Sequence, residues 1–184
     1  AAASIAQVHR AELTTAEGRK PVAVKVLRPD VERRFRTDVD AFSFVARVGE
    51  RFSAEARRLR LIETVNTLRR SVAIEMDLRL EAAALSEMAE NTKDDPDFRV
   101  PAVDWDRTAK DVLTLEWIDG TPLNDRAGLE AKGFDLQQLA RAVIQTFLRH
   151  ALRDGFFHAD MHPGNLFVDH EGRRQAHGAL AARE

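Results

Sequence analysis

The most constraining feature of this chain is an apolar helix pattern that runs into a short polar loop and then into a strand. Apolar residues recur at helical spacing from Leu136 to Leu152, which predicts an amphipathic helix with one buried stripe. Gly155 is predicted to end this helix. The loop His158–Asn165 follows, and the apolar run Leu166–Val168 predicts a short strand. The loop is therefore expected to be anchored at both ends by core elements.

The residues of this loop indicate a chemistry. The loop reads H-A-D-M-H-P-G-N, in which Asp160 is followed by four residues and then Asn165. That spacing is the catalytic-loop signature of kinases, where the Asp orients the proton of the acceptor and the Asn holds magnesium. A plain turn is the alternative interpretation. A zinc site built from His158 and His162 is disfavoured, because a Pro-Gly loop does not present them on one helix face.

A lysine within a β-rich run supplies the second element. The runs Ile5–Leu13 and Pro21–Arg28 predict two antiparallel strands joined by a polar loop. The second strand contains V-A-V-K-V with Lys25, which matches the V-A-I-K strand that places an ammonium on the α and β phosphates of a nucleotide. A strand lysine that points to water is the simpler alternative, and the downstream loop favours the phosphate role.

A phosphate-binding lysine needs an acidic partner, and the stretch between residues 30 and 90 offers one. Turn signals are scarce there, so two or three helices are predicted. One long helix is expected to carry E-M-D-L-R-L-E, with Asp77 and Glu81 four residues apart on one face. Glu75 lies elsewhere on that helix and can pair with Arg79, which is the structural alternative to a functional role for this acid.

Together, these motifs resemble those of the UbiB family of atypical protein-kinase-like proteins, and the resemblance covers about residues 1–173. The resemblance rests on an alanine-rich nucleotide loop, the lysine, an E-x-D motif, a helix partner for the lysine and the catalytic loop. The residues concerned are Ala1, Ala2, Ala3, Ser4 and Gln7 in the first segment, then Lys25, Glu75, Asp77, Glu81, Asp160 and Asn165.

The resemblance implies an α+β, protein-kinase-like two-lobed fold that binds ATP and Mg²⁺. The N-lobe, about residues 1–118, is expected to combine an antiparallel sheet with inserted helices, and residues 119–173 are expected to form an incomplete helical C-lobe. Glu116 and Ile118 are placed where a kinase hinge offers backbone groups to adenine, with Trp105 and Trp117 in core or hinge packing. The implied activity is that of an ATPase or unconventional kinase supporting ubiquinone biosynthesis.

The end of the chain departs from the family pattern. By spacing, D-F-G would fall near residues 178–180, where the chain reads G-A-L. The second magnesium-binding Asp is thus expected to be missing. Residues 174–184 are expected to form an aberrant or disordered tail. This truncated fragment is therefore expected to be weakly active or inactive. Alanine in the nucleotide loop restricts backbone approach to phosphates, which favours small or lipid-related acceptors, or ATP hydrolysis, over protein substrates.

Composition limits the partners. A net charge of −2 argues against general nucleic-acid binding, and the absence of cysteine is typical of a reducing compartment. A cytoplasmic protein is expected, peripheral at the inner membrane face, with an anionic membrane surface or isoprenoid lipid intermediates as further partners. Residues 28–70 contain 11 arginines and 7 acidic residues, a local positive charge that could bind an anionic membrane surface. A solvent-exposed helical face would also explain this surplus of arginine. The oligomeric state stays open.

Two other functions fit parts of the pattern. A small-molecule phosphotransferase of the aminoglycoside or choline kinase type has a similar catalytic loop, but it lacks the alanine loop and the E-x-D-x-x-x-E helix. A non-catalytic, pseudokinase-like binding module would keep the nucleotide pocket without turnover. Metal-dependent nucleotide binding without turnover would identify the latter.

Overall fold

A computed structural model describes residues 5–16, 18–95, 98–155, 166–169 and 180–182. Strands and helices alternate in blocks, as the sequence pattern predicts. In chain order the elements are β1 (Ala6–Thr15), β2 (Gly18–Leu27), α1 (Val31–Phe52), α2 (Ala54–Arg58), α3 (Leu61–Glu75), α4 (Leu78–Asn91), β3 (Phe98–Arg99), β4 (Val112–Glu116), β5 (Gly120–Pro122), α5 (Arg126–Ala131), α6 (Leu136–Arg149), β6 (Leu166–Asp169) and β7 (Leu180–Ala182).

The first sheet has three strands in the order β1-β2-β4. Strands β1 and β2 are adjacent in the sheet and joined by a connection too short for a crossover, so the predicted hairpin is confirmed. At its tip the hydroxyl of Thr15 donates a hydrogen bond of 2.9 Å to the carbonyl of Gly18. Gly18 has φ of 124°, a conformation that favours glycine.

Four helices, not two or three, fill the stretch after β2. Ser53 separates α1 from α2, and its hydroxyl accepts a hydrogen bond of 3.2 Å from the amide of Ala56 as an N-cap. Arg60, with φ of 51°, separates α2 from α3. The expected long helix is interrupted at Met76 and Asp77, so Asp77 lies before α4 and shares no continuous helix face with Glu81.

The arginine-rich region makes many ion pairs with its own acidic residues. These pairs lie at the surface, where such contacts stabilise only weakly. They agree with the solvated-face interpretation for the arginines concerned. The pairs are Arg33 with Asp30, Arg36 with Glu32, Arg58 with Glu55, Arg60 with Glu63, and Arg69 with Asp40.

The second sheet has the order β3-β7-β6-β5. Strands β5 and β6 pair antiparallel with Thr121 opposite Val168, and β7 pairs antiparallel with β6 and parallel with β3. The strand predicted at Leu166–Val168 is confirmed. Three residues of the expected disordered tail, Leu180–Ala182, belong to β7, because they pair with an edge of β6.

Carboxylates cap the helices that follow β5. Asp135 accepts hydrogen bonds of 2.8 and 3.2 Å from the amides of Gln137 and Gln138 and so begins α6. After Arg149 the backbone continues as one wide π-helical turn, His150–Asp154. The predicted stop at Gly155 is confirmed, since Gly155 has φ of 64°.

The chain divides into two compact units that are interleaved along the sequence. One comprises residues 1–9, 24–82 and 105–114, and the other comprises residues 10–23, 83–104 and 115–184. Helix α4 and several strands contribute residues to both units, and the expected division into an N-lobe and a C-lobe near residue 118 stays a prediction. Among the described residues, no helix has the length and apolar character to cross a bilayer.

Candidate functional site

Lys25 lies on β2, in a run of apolar residues. Val22 and Ala23, just before it, are buried, with 2% and 5% of their surface exposed. Side chains alternate along a strand, so Lys25 lies on the face opposite to Val24 and Val26. Its side chain is 16% exposed, which is unusually low for a lysine that merely points to water.

Glu81 holds this lysine. Helix α4 buries a stripe of Leu78, Ala82 and Leu85, and Glu81 lies three residues after Leu78 and four before Leu85, on the same side of the helix. The ammonium nitrogen of Lys25 donates to both carboxylate oxygens of Glu81 at 2.7 Å. The side chain of Glu81 is 19% exposed, so the pair is largely shielded from water.

The pair is the kind of contact that preorganises a cation. A shielded carboxylate that accepts two hydrogen bonds from the ammonium group fixes the position of that group. An ammonium held in this way can bind a polyanion such as the phosphates of a nucleotide. The pairing expected from the sequence is therefore present, and its role in ATP binding stays a prediction.

The two acids of the E-x-D motif lie differently from the expectation. Asp77 precedes α4 and pairs with Arg79 at 2.6 Å, while it also accepts the amide of Arg79 at 3.1 Å. Arg79 therefore pairs with Asp77, where the sequence had offered Glu75 as one alternative partner, because α3 ends at Glu75 and α4 begins only at Leu78. The side-chain hydrogen bond from Arg79 lowers the pKa of Asp77 to about 2.

The segment assigned to adenine binding lies at the end of β4. The carboxylate of Glu116 accepts a hydrogen bond of 2.9 Å from Arg99 and one of 3.3 Å from the amide of Ala102. The amide of Glu116 donates to the carbonyl of Ala102 at 2.8 Å, so this amide is already used within the fold. Ile118 is buried against Phe167. The assignment of Glu116 and Ile118 to adenine binding stays a prediction.

The two tryptophans differ. Trp117 lies beneath the guanidinium of Arg10, which is 5.1 Å from its ring centroid, a cation–π contact. Trp105 is 51% exposed on a 3-10 turn, Trp105–Arg107, so the expected packing in a core or hinge is wrong for this residue.

The other predicted site residues fall partly outside the described chain. Gln7 is exposed on β1, directly after the fully buried Ala6. Ala1, Ala2, Ala3 and Ser4, together with Asp160 and Asn165, lie outside the described residues. Their assignments stay predictions. Within the described ranges, no three His, Asp or Glu side chains cluster as metal ligands.

Asp95 is a buried carboxylate to which the sequence pattern assigns no role. It follows the polar end of α4, and its partners His150 and Arg153 lie 55 and 58 residues later. The hydrogen bond from Arg153, with help from His150, holds the pKa of Asp95 below its usual value. The sequence carries only a weak signal for this cluster. His150 and Arg153 are three residues apart, as neighbours on one helix face are, but the loop that contains Asp95 has no periodic pattern that would link it to them.

Comparison with known proteins identifies the class. The ABC1 atypical kinase-like domain family matches residues 1–180, and this chain belongs to that family. Its sequence is 44% identical over 168 residues to the "Probable protein kinase UbiB" of Azotobacter vinelandii, covering 91% of this chain and 31% of that protein. It is 42% identical over 169 residues to the protein of the same name from Marinobacter nauticus, covering 92% of this chain and 30% of that protein. The chain thus spans about a third of the length of these relatives.

A solved structure supports the fold. The structure of Rv3197 in complex with erythromycin, from Mycobacterium tuberculosis, superposes with a TM-score of 0.76 and 29% sequence identity over 100% of this chain and 43% of that chain. The predicted α+β, protein-kinase-like fold class is therefore confirmed, as is the resemblance to UbiB-type atypical kinases.

Proposed function

We propose that this protein binds ATP with magnesium and acts as an atypical kinase or ATPase of the UbiB type, in support of ubiquinone biosynthesis. The observation that carries the proposal is the shielded Lys25–Glu81 pair, with its bidentate contact at 2.7 Å. Such a pair is a required part of protein-kinase catalysis. The family membership supports the same class of chemistry.

The proposed reaction transfers the γ-phosphoryl group of ATP. Lys25 binds the α and β phosphates, and Glu81 keeps its ammonium in place. Asp160 accepts the proton of the attacking hydroxyl group or water, a new oxygen–phosphorus bond forms, and the bond between the γ-phosphorus and its bridging oxygen breaks to release ADP. Asn165 would hold magnesium, which would offset the negative charge of the phosphates.

Titration calorimetry of ATP with and without magnesium tests the binding step. We expect magnesium-dependent binding, weakened at least tenfold by Lys25→Ala, because a charged contact to phosphate is worth about 1.5–3 kcal/mol. Lys20→Ala is the matched control, since Lys20 lies on the same strand and is exposed. Equal ATP affinity in all three proteins would contradict the proposed site.

Turnover separates an enzyme from a non-catalytic module. Asp160→Asn should keep ATP affinity and abolish phosphate release, because only the proton acceptor is removed. ATP binding without turnover in the unsubstituted full-length protein would favour the pseudokinase-like alternative. Strong phosphorylation of protein substrates would contradict the preference for small acceptors or water.

The link to ubiquinone is tested in cells that lack the full-length protein. Restoring the unsubstituted protein should restore ubiquinone content, and restoring Lys25→Ala should not. Equal ubiquinone content with and without the protein would refute this part of the proposal while leaving ATP binding untouched.

A further inference from the structure

Asp95 is held by an unusual number of cationic and polar partners. Its side chain is only 5% exposed, and a buried carboxylate is costly unless it is paired. One oxygen accepts from Arg153 Nη1 at 2.8 Å and lies 3.5 Å from Arg149 Nη1. The other lies 3.0 Å from His150 Nε2 and accepts from Arg153 Nη2 at 3.1 Å. Both oxygens are therefore engaged.

The partners come from one place, the end of α6. Arg149 is its last residue, and His150 and Arg153 lie in the π-helical turn that follows. Turns of this kind are rare and concentrate at functional sites. The ring of His150 also packs edge-on against Phe98, with 4.9 Å between centroids. The wide turn is thus fixed both by the carboxylate and by an aromatic contact.

The cluster around Asp95 also contacts the C-terminal end of α4. Arg153 Nη2 donates a hydrogen bond of 3.1 Å to the carbonyl of Asn91, the last residue of that helix. A cation at this position satisfies an end carbonyl and suits the helix dipole. The amide of Asp95 donates a hydrogen bond of 2.9 Å to the carbonyl of Thr92, and the hydroxyl of Thr92 donates one of 2.9 Å to the carbonyl of Met88.

We propose that Asp95 is a positioning residue, which fixes the C-terminal end of α4 and through that helix the orientation of Glu81. The inference rests on the proposed function, since Glu81 matters there as the partner of Lys25. Ten residues of helix separate Glu81 from Asn91, about 15 Å at 1.5 Å per residue. A tilt of about 5° at one end moves the other by about 1 Å, enough to take a 2.7 Å contact beyond hydrogen-bond distance.

The experiment compares Asp95→Asn with Asp94→Asn in the full chain. Asp94 is the adjacent, exposed carboxylate and is the matched control. At a temperature where circular dichroism shows all proteins folded, we expect Asp95→Asn to weaken magnesium-dependent ATP binding about tenfold and Asp94→Asn to leave it unchanged. Asp95→Glu should recover part of the loss, because it keeps the charge.

A double-mutant cycle separates positioning from a general structural role. If Asp95 acts through Glu81, adding Asp95→Asn to Glu81→Gln should weaken ATP binding little further. Additive losses, or a lowered melting temperature with unchanged ATP affinity, would overturn the inference. Should Asp95→Asn fail to fold, His150→Gln removes one contact while retaining a donor, and the same expectations apply.

Hydrogen exchange gives a readout that does not depend on ATP. Asp95→Asn should speed amide exchange at the last turn of α4, residues 88–91, more than in the rest of that helix. If the unsubstituted protein does not bind ATP, the proposed function fails. Unchanged exchange at residues 88–91 would instead overturn the role of Asp95.

Discussion

Glu81 is the residue on which the candidate site depends most directly. Its carboxylate is largely shielded and bonds Lys25 through both oxygens at 2.7 Å. Glu81→Gln keeps the size of the side chain but removes the charge that holds the ammonium. We expect about tenfold weaker ATP binding, because one lost charge-assisted hydrogen bond costs on the order of 1.5 kcal/mol. Calorimetry at fixed magnesium concentration measures this loss.

Glu87→Gln is the control for that change. Glu87 lies on the same helix, is exposed, and is six residues from Glu81. The control should bind ATP with unaltered affinity. If both variants lose affinity equally, a general effect of charge on α4 would explain the result better than the contact with Lys25.

The placement of Glu81 could be predicted from the sequence because its neighbours follow a helical period. Leu78 and Leu85 are apolar at positions −3 and +4, so the acid lies beside the buried stripe. Asp77 could not be placed in this way. Its position depends on a helix break that apolar periodicity does not signal, and on Arg79, which turns back to the carboxylate.

At the scale of elements, the pattern predicted strands and helices wherever the period was sustained. The hairpin, the extent of α6 with its stop at Gly155, and the strand at residues 166–168 all follow from local sequence. The buried apolar stripe expected on α6 is wrong in part, since Leu139 is buried but Ile144 and Leu148 are 59% and 47% exposed. The divisions between α1, α2 and α3 were missed. Ser53 and Arg60 end helices there through a cap and a positive φ, which are single-residue events within a continuous helical pattern.

The pairing of β5 with β6 gives an element-scale prediction. A Cβ added at Gly120 would lie 2.8 Å from the carbonyl oxygen of Val168 and 3.1 Å from Cβ of Phe167. Since backbone is the obstacle, Gly120→Ala must push the two strands apart. We expect a loss of about 1–3 kcal/mol in the free energy of unfolding, measured by urea denaturation.

Gly49→Ala is the matched substitution with the opposite expectation. It lies within α1, and an added Cβ would meet Leu61 and Ala56 at ordinary contact distances of 3.6 and 3.7 Å. Alanine favours the helix, so a gain of up to about 1 kcal/mol is expected. Destabilisation by Gly49→Ala as large as that by Gly120→Ala would contradict the steric argument for Gly120.

At the scale of the whole molecule, long-range polar contacts were the part least accessible to sequence reasoning. Asp95 and His150 are 55 residues apart, and Lys25 and Glu81 are 56 apart. The second pair could be predicted because the family pattern names both members. The first pair has no such pattern, and only the fold brings the two residues together.

The buried carboxylate also makes the stability of the whole protein depend on acid. The hydrogen bond from Arg153 lowers the pKa of Asp95 in the folded state, so folded protein binds fewer protons than unfolded protein. This stabilisation is complete above the unfolded pKa of about 3.9 and is lost as pH falls through the lower, folded value. Melting temperatures between about pH 5 and pH 2 should therefore drop steeply. The Asp95→Asn variant should have a lower melting temperature than the unsubstituted protein at pH 7, but its melting temperature should fall less on acidification. The two plots of melting temperature against pH should therefore converge at low pH. Parallel plots would show that the protonation of Asp95 is not linked to folding.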